Sequence, residues 1–206
     1  MEIKTTVLGE VSTNCYMLSG EDYAVVIDPD EFNGTVKTFA EQNRDKKTKI
    51  ILLTHCHFDH IGGVVKLKEF WSAPVFIGEN EGESLKNPLI NLSARFCSEP
   101  VSITADKLLK DGEIIDLGTD YLKVIFTPGH TSGSVCYLGK DVLFSGDTLF
   151  HLTAGRYDFP TADREALLNS LRVLKNLEGD YRVLSGHGPQ TTLEIERINN
   201  RYLRKL

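Results

Sequence analysis

The chain has 206 residues, of which 41% are hydrophobic and 25% charged, with a net charge of −6. That length and apolar content suffice for a single domain, residues 1–206, with a substantial core, and the acidic balance leaves no electrostatic footprint for nucleic acid. No apolar run reaches membrane-spanning length, and Met1-Glu2-Ile3-Lys4-Thr5 lacks the apolar stretch of a signal peptide, so a cytoplasmic protein without membrane contacts is expected.

Residues 2–8, 14–19 and 23–28 read as short strands, with Gly20-Glu21-Asp22 as a hairpin turn. A helix is expected over 34–43. The basic run Arg44-Asp45-Lys46-Lys47-Thr48-Lys49 reads as a solvated turn. Ile50-Ile51-Leu52-Leu53 is a buried strand, followed by a helix over 60–70 and a strand at 74–77. Residues 79–100 carry Gly, Asn, Ser and Pro and read as irregular, a candidate mobile cover. Strands recur at 113–117, 121–126, 134–138 and 141–145. A helix near 163–177 follows, capped by Asp163 or Thr161, then a strand at 182–185 and a helix near 192–203. Arg197, Arg201, Arg204 and Lys205 lie along that last helix and read as a solvated face. The cysteines at 15, 56, 97 and 136 are scattered, as reduced thiols in a cytoplasmic protein would be.

The densest chemistry follows the strand at 50–53. Thr54-His55-Cys56-His57-Phe58-Asp59-His60 holds three of the chain's six histidines and a carboxylate. Imidazole and carboxylate together suit zinc, iron or manganese. His55, His57 and Asp59 alternate, so in an extended segment they share a face, while His60 points elsewhere, toward a second ion. Alternation turns Cys56 away, as a packing residue. Three later strands also end in a glycine-bearing turn with one ligand-type side chain: Thr127-Pro128-Gly129-His130-Thr131, Ser145-Gly146-Asp147-Thr148 and Ser185-Gly186-His187-Gly188-Pro189. Any one of these turns alone is weak; four strand ends carrying the same chemistry point to one metal centre.

The series His55-x-His57-x-Asp59-His60, His130, Asp147 and His187 resembles the motif pattern of the metallo-β-lactamase superfamily, with Val26-Ile27-Asp28-Pro29 as its first motif. The resemblance spans about residues 2 to 195. Gly146-Asp147-Thr148-Leu149-Phe150 and Gly186-His187-Gly188-Pro189-Gln190-Thr191-Thr192 are similar to the glyoxalase II-like hydrolases, nearest the short bacterial branch that lacks a C-terminal helical domain. The resemblance implies an α/β (α+β) four-layer αββα sandwich, two mixed sheets flanked by helices. It implies that His55, His57 and His130 hold one divalent ion, that Asp59, His60 and His187 hold a second, and that Asp147 bridges them, with Asp28 supporting the metal loop. Zinc is the expected metal, with iron and manganese as alternatives. Class B β-lactamases carry cysteine at the place of Asp147, and flavodiiron proteins carry glutamate at the place of His57, which sets the chain apart from both.

Two adjacent cations bring a water held between them near neutral pKa. The resulting hydroxide is expected to attack the carbonyl of a small-molecule thioester, with Asp59 and Asp147 as catalytic residues. In glyoxalase II enzymes a lysine and a tyrosine after the bridging aspartate grip glutathione. Here Arg156 stands near the lysine's place and Asp158 near the tyrosine's, with Tyr157 between. Arg156 and Tyr157 are therefore candidate substrate contacts, and an internal Arg156–Asp158 ion pair is the competing reading. His151, four residues past Asp147, reads as a surface or packing residue. An iron persulfide dioxygenase using one ion is the alternative activity, and a noncatalytic metal-binding module is the alternative class.

Overall fold

The computed structural model describes residues 1–206. The first half of the chain builds one six-stranded sheet: β1 (Glu2–Leu8), β2 (Thr13–Ser19), β3 (Tyr23–Ile27), β4 (Thr48–Leu52), β5 (Val75–Gly78) and β6 (Lys107–Leu109), in that spatial order. The β1–β3 meander is antiparallel, and β3 through β6 are parallel. Helices α1 (Gly34–Gln42), α2 (Phe58–Ile61), α3 (Val64–Trp71), α4 (Gly82–Lys86) and α5 (Ser93–Phe96) lie in the connections. The second half supplies β7 (Ile114–Asp116), β8 (Tyr121–Phe126), β9 (Val135–Leu138), β10 (Val142–Gly146), the hairpin β11 (Leu149–Phe150) and β12 (Thr153–Ala154), then α6 (Arg164–Lys175), β13 (Arg182–Ser185), β14 (Thr191–Thr192) and α7 (Leu193–Asn199). Its sheet is ordered β14-β13-β10-β9-β8-β7 and is antiparallel except for β10 beside β13.

Both faces of each sheet are covered, so the central strands read as continuous apolar runs rather than as alternating ones. In β3, Tyr23, Val25 and Ile27 point between the sheets, while Ala24 and Val26 point out toward α1 and α3. In β4, Ile50 and Leu52 point in and Ile51 points out. The inner layer of the sandwich joins these to Leu122, Val124, Tyr137, Val142 and Phe144 of the second sheet. Outside that sheet, Leu143 and Val183 pack against Leu167, Leu171 and Leu174 of α6 and Leu193 of α7. The result is the expected αββα order of layers. No helix is long and apolar enough to cross a membrane.

Several local expectations are corrected. The helix expected over 60–70 breaks at Gly62-Gly63, because α2 and α3 turn tightly over the β3–α1 loop. A Cβ on Gly62 would lie 2.3 Å from the Asp30 carbonyl oxygen, and one on Gly63 2.5 Å from the Glu31 carbonyl carbon. Residues 79–100 are not irregular throughout: they contain a 3-10 turn, α4 and α5, pinned by buried Asn91, whose side chain donates to the carbonyls of Leu85 and Val101. The last helix stops at Asn199. Arg197 is not a solvated cation but donates to the carbonyls of Lys175, Leu177 and Gly179, closing the C-terminus of α6. Asp163, not Thr161, caps α6, accepting from Ala166 N–H at 2.7 Å. The edge strand β6 and the hairpin β11–β12 had no sequence signal, being two or three residues long.

Phe144 lies at the centre of the inner layer, fully buried and edge-on to Tyr16 at a centroid distance of 5.3 Å. Phe144→Ala is expected to lower unfolding free energy by about 3–5 kcal/mol, read by denaturant titration; a loss below about 1 kcal/mol would show that the two sheets do not depend on this contact.

Candidate metal centre

The loops after β4, β8, β10 and β13 meet at one edge of the sandwich. β8, β10 and β13 run the same way within their sheet, so their C-terminal ends present His130, Asp147 and His187 side by side. β4 of the facing sheet delivers His55 and His57, and α2, which starts directly after His57, carries Asp59 and His60. The structure brings all seven expected side chains together. Their ligand-type atoms form three overlapping groups, each within 4.8 Å: His55, His57 and His130; His55, His60 and Asp147; Asp59, His60 and His187. Asp147 lies between the others, with Oδ1 3.5 Å from His60 Nε2 and Oδ2 3.5 Å from His130 Nε2 and 3.6 Å from His187 Nε2. Asp59 Oδ2 is 3.2 Å from His187 Nε2 and 3.6 Å from His60 Nε2. Cys56 points away from the cluster into the core against α3, as alternation predicted.

Three of the rings, those of His130, His55 and His60, are oriented from behind. His130 Nδ1 donates to the Arg156 carbonyl at 2.8 Å, which leaves Nε2 as a lone pair facing His57 Nδ1 at 2.9 Å. His55 Nδ1 meets Thr54 Oγ1 at 3.1 Å. His60 Nδ1 lies 3.1 Å from Asp28 Oδ2, which turns Nε2 toward Asp59 and Asp147. Asp28 also accepts from Thr54 N–H at 2.8 Å and Thr54 Oγ1–H at 2.7 Å, from a left-handed backbone (φ 53°) that aspartate tolerates better than most residues. Asp28 thus contacts both ends of the histidine loop. β2 steadies the His187 turn: Asn14 Nδ2 donates to the carbonyls of Ser185 and Gly188, and Tyr16 Oη to that of Ser185. Gly186 is required there, since a Cβ would sit 2.1 Å from Asp147 Oδ1.

Sequence reasoning missed Glu81. It is fully buried without a cation, and its two oxygens accept the Cys56 N–H at 2.9 Å and the Gly133 N–H at 2.8 Å. One carboxylate therefore ties the His55–His57 loop to the turn after His130. Its flanking Glu79 and Glu83 are exposed, so nothing in the local sequence marks it.

The electrostatics follow from burial and crowding. Burial, then the neighbouring imidazoles, push His55 and His57 well below the usual histidine range, so both rings are neutral donors of lone pairs at pH 7. Burial opposes charge on His60 as well, but Asp59, Asp28 and Asp147 outweigh it and hold the ring up to about 10. Burial would raise Asp59, yet His60, His187 and His57 hold its carboxyl below the usual carboxylate range. His187, opposed by burial, is raised by its contacts with Asp59 and Asp147. Nε2 of His55, His57 and His60 and Oδ1 of Asp147 are buried with no hydrogen-bond partner. Buried polar atoms normally find partners; four such atoms converging from nitrogen and oxygen donors fit divalent cations.

The cluster forms the floor of a cleft of about 560 Å³, walled by Val11, Phe58, Leu92, Phe96, Phe150 and Phe159. Arg156 lines it too, but its guanidinium makes two hydrogen bonds to Asp158, at 2.6 and 2.7 Å. The structure does not bring Tyr157 into the cleft; it flanks a shallow depression with Arg201 and Tyr202. His151 lies 3.4 Å from buried Glu196, apart from the cleft. A larger groove of about 680 Å³ beside α3 holds the Lys68–Asp106 ion pair and none of the ligand groups.

Glu81→Ala leaves two buried N–H groups unpaired, at about 1–3 kcal/mol each, and is expected to weaken metal retention by about 10–100-fold; chelator competition tests this, and unchanged retention would remove Glu81 from the site's support. Metal uptake must displace the proton that the carboxylates hold on His60. Apparent affinity is therefore expected to rise with pH from 6.5 toward about 10 and to fall by up to about tenfold per unit as pH drops, measured by competitive titration. An affinity flat across that window would contradict the charge assignment.

Residues 8–187 match the metallo-beta-lactamase superfamily. The chain is 36% identical over 201 residues to the probable metallo-hydrolase YqgX of Bacillus subtilis, covering 95% of this chain and 94% of that one. It is 31% identical over 211 residues to the hydroxyacylglutathione hydrolase GloC of Haemophilus influenzae, covering 98% of each. Among solved structures, it superposes on the BLEG-1 B3 metallo-beta-lactamase with a TM-score of 0.87 and 37% identity, covering 98% of this chain and 99% of that one. It superposes on TTHA1623 in a di-iron-bound form with a TM-score of 0.83 and 32% identity, covering 97% and 100%. These similarities establish that the chain belongs to the metallo-β-lactamase superfamily.

Proposed function

We propose that the protein is a binuclear metal-dependent thioester hydrolase. The observation that carries this reading is the set of seven convergent side chains, with Asp147 placed between two groups of imidazoles. His55, His57 and His130 would hold one divalent ion, Asp59, His60 and His187 the other, and Asp147 would touch both. Zinc suits this nitrogen and oxygen donor set, and iron is supported by the di-iron relative. Divalent cations bound there would supply Lewis acidity, lowering the pKa of water and polarising a carbonyl.

The protein's own contributions are orientation and proton handling. The carbonyl of Arg156 fixes His130, and Asp28 fixes His60, so the lone pairs needed for binding are preorganised. Asp59, at the cleft floor, would accept a hydrogen bond from the attacking water and set its angle of approach. The apolar walls limit competing water around the acyl group. In the overall reaction, water adds to the acyl carbon, a C–O bond forms, and the C–S bond breaks. The products at neutral pH are a carboxylate, a thiol and one released proton. A thiolate leaves without prior protonation, which matches a cleft whose only non-ligand cation, Arg156, is already paired.

The similarity to a B3 metallo-β-lactamase supports a second reading, hydrolysis of a β-lactam amide. That reaction expels an amine, which needs a proton donor beside the leaving nitrogen. The thioester reading is preferred on this difference and on the similarity to GloC.

The metal-loaded protein is expected to hydrolyse thioesters, followed by thiol release, at least about a hundredfold faster than a cephalosporin chromophore. Asp147→Ala is expected to cost at least about a hundredfold in kcat. Faster cephalosporin turnover, or Asp147→Ala with full activity, would overturn the proposal.

A further inference from the structure

We infer that the cleft selects an apolar acyl group, aromatic or linear aliphatic of medium length, seated on the face formed by Phe58 and Phe96. The inference rests on the hydrolase reading above and names the substrate class of that same site. Phe58 and Phe96 stack with centroids 4.9 Å apart at 25°. Phe58 lies between His57 and Asp59, so its backbone is fixed relative to the site floor. Its N–H donates to the Asn91 carbonyl at 2.8 Å, which joins α2 to the segment carrying Leu92 and Phe96. Leu92 adopts a left-handed backbone, φ 68°, unusual for a leucine, and its side chain completes the wall. Phe159 faces the wall from the other side, edge-on to His57 at 5.3 Å.

Two features exclude a charged acyl group or a carboxylate-bearing thiol as the best fit. Phe96 and Val11 remain about half exposed, 50% and 47%, at the mouth of the cleft. Exposed apolar side chains in the lining of a cleft favour an apolar ligand. The one non-ligand cation of the lining, Arg156, is held by Asp158 and packs over the Phe159 ring at 4.0 Å. It serves as part of the wall, and an incoming carboxylate would have to displace Asp158 to reach it. A volume of about 560 Å³ accommodates an acyl group of this size together with the start of the thiol arm.

The test compares hexanoyl and phenylacetyl thioesters of N-acetylcysteamine, a neutral thiol, with the acetyl thioester and with lactoylglutathione, using metal-loaded protein and Phe96→Ala. One methylene in an apolar pocket is worth about tenfold or more in kcat/KM. The apolar substrates are therefore expected to exceed both comparators by at least about tenfold, and Phe96→Ala to reduce the hexanoyl-to-acetyl ratio by about tenfold. Calorimetric binding of hexanoate and acetate to both proteins runs beside it. Preferred turnover of lactoylglutathione, or a ratio unchanged in Phe96→Ala, overturns the substrate class and leaves the hydrolase reading standing. No turnover of any thioester, with hexanoate still bound at least about tenfold more tightly than acetate in a Phe96-dependent way, supports the apolar site and overturns the hydrolase reading. No turnover and no such preference overturn both.

Discussion

The structure depends on one constraint: four imidazoles and two carboxylates are packed where water scarcely reaches. His55 and His60 are wholly buried, and His57, His130, Asp59 and Asp147 nearly so. Such a cluster is costly unless every donor and acceptor has a partner. The protein meets that cost from outside the cluster. Asp28, Thr54, Glu81, Asn14, Tyr16 and the Arg156 carbonyl each bind the back of a ring or the loop that bears it. Nε2 of His55, His57 and His60 and Oδ1 of Asp147, which face one another, are left without a hydrogen-bond partner. The two sheets then act as a rigid frame that brings four strand ends within a few ångströms of each other.

Much of this was legible in the sequence because the fold writes it in local patterns. The histidine-rich run 55–60 and the three strand ends carrying histidine or aspartate beside glycine are short, contiguous signals, and their seven ligand-type residues lie together in the structure. The alternation of His55, Cys56 and His57 also predicted correctly that Cys56 faces the core. The sheet strands with both faces buried were visible as apolar runs, and Asp163 was visible as one of two cap candidates, beside Thr161.

The rest was hidden because it arises from contacts far apart in the chain. Glu81 meets Gly133 across 52 residues, and no local pattern distinguishes it from Glu79. The break at Gly62-Gly63 depends on how closely α2 approaches the Asp30 backbone, which helical periodicity does not record. Arg197 looked like a surface cation because its partners are main-chain carbonyls about 20 residues away. The loop after Asp147 placed Arg156 at the cleft but could not show whether Asp158 would hold it. That pairing changes the reading of the pocket from anion-binding to apolar, with the aromatic wall contributed by α2, α5 and the segment after β12.

The central claim is that these seven side chains form one centre for two cations, and elemental analysis of the purified protein, in metal ions per chain, tests it most directly. The account predicts about two divalent ions per chain, falling to about one when His187 or Asp59 is replaced by alanine. A saturated content of one ion that neither replacement lowers would contradict it and, if that ion were iron, would turn the reading toward oxygen chemistry.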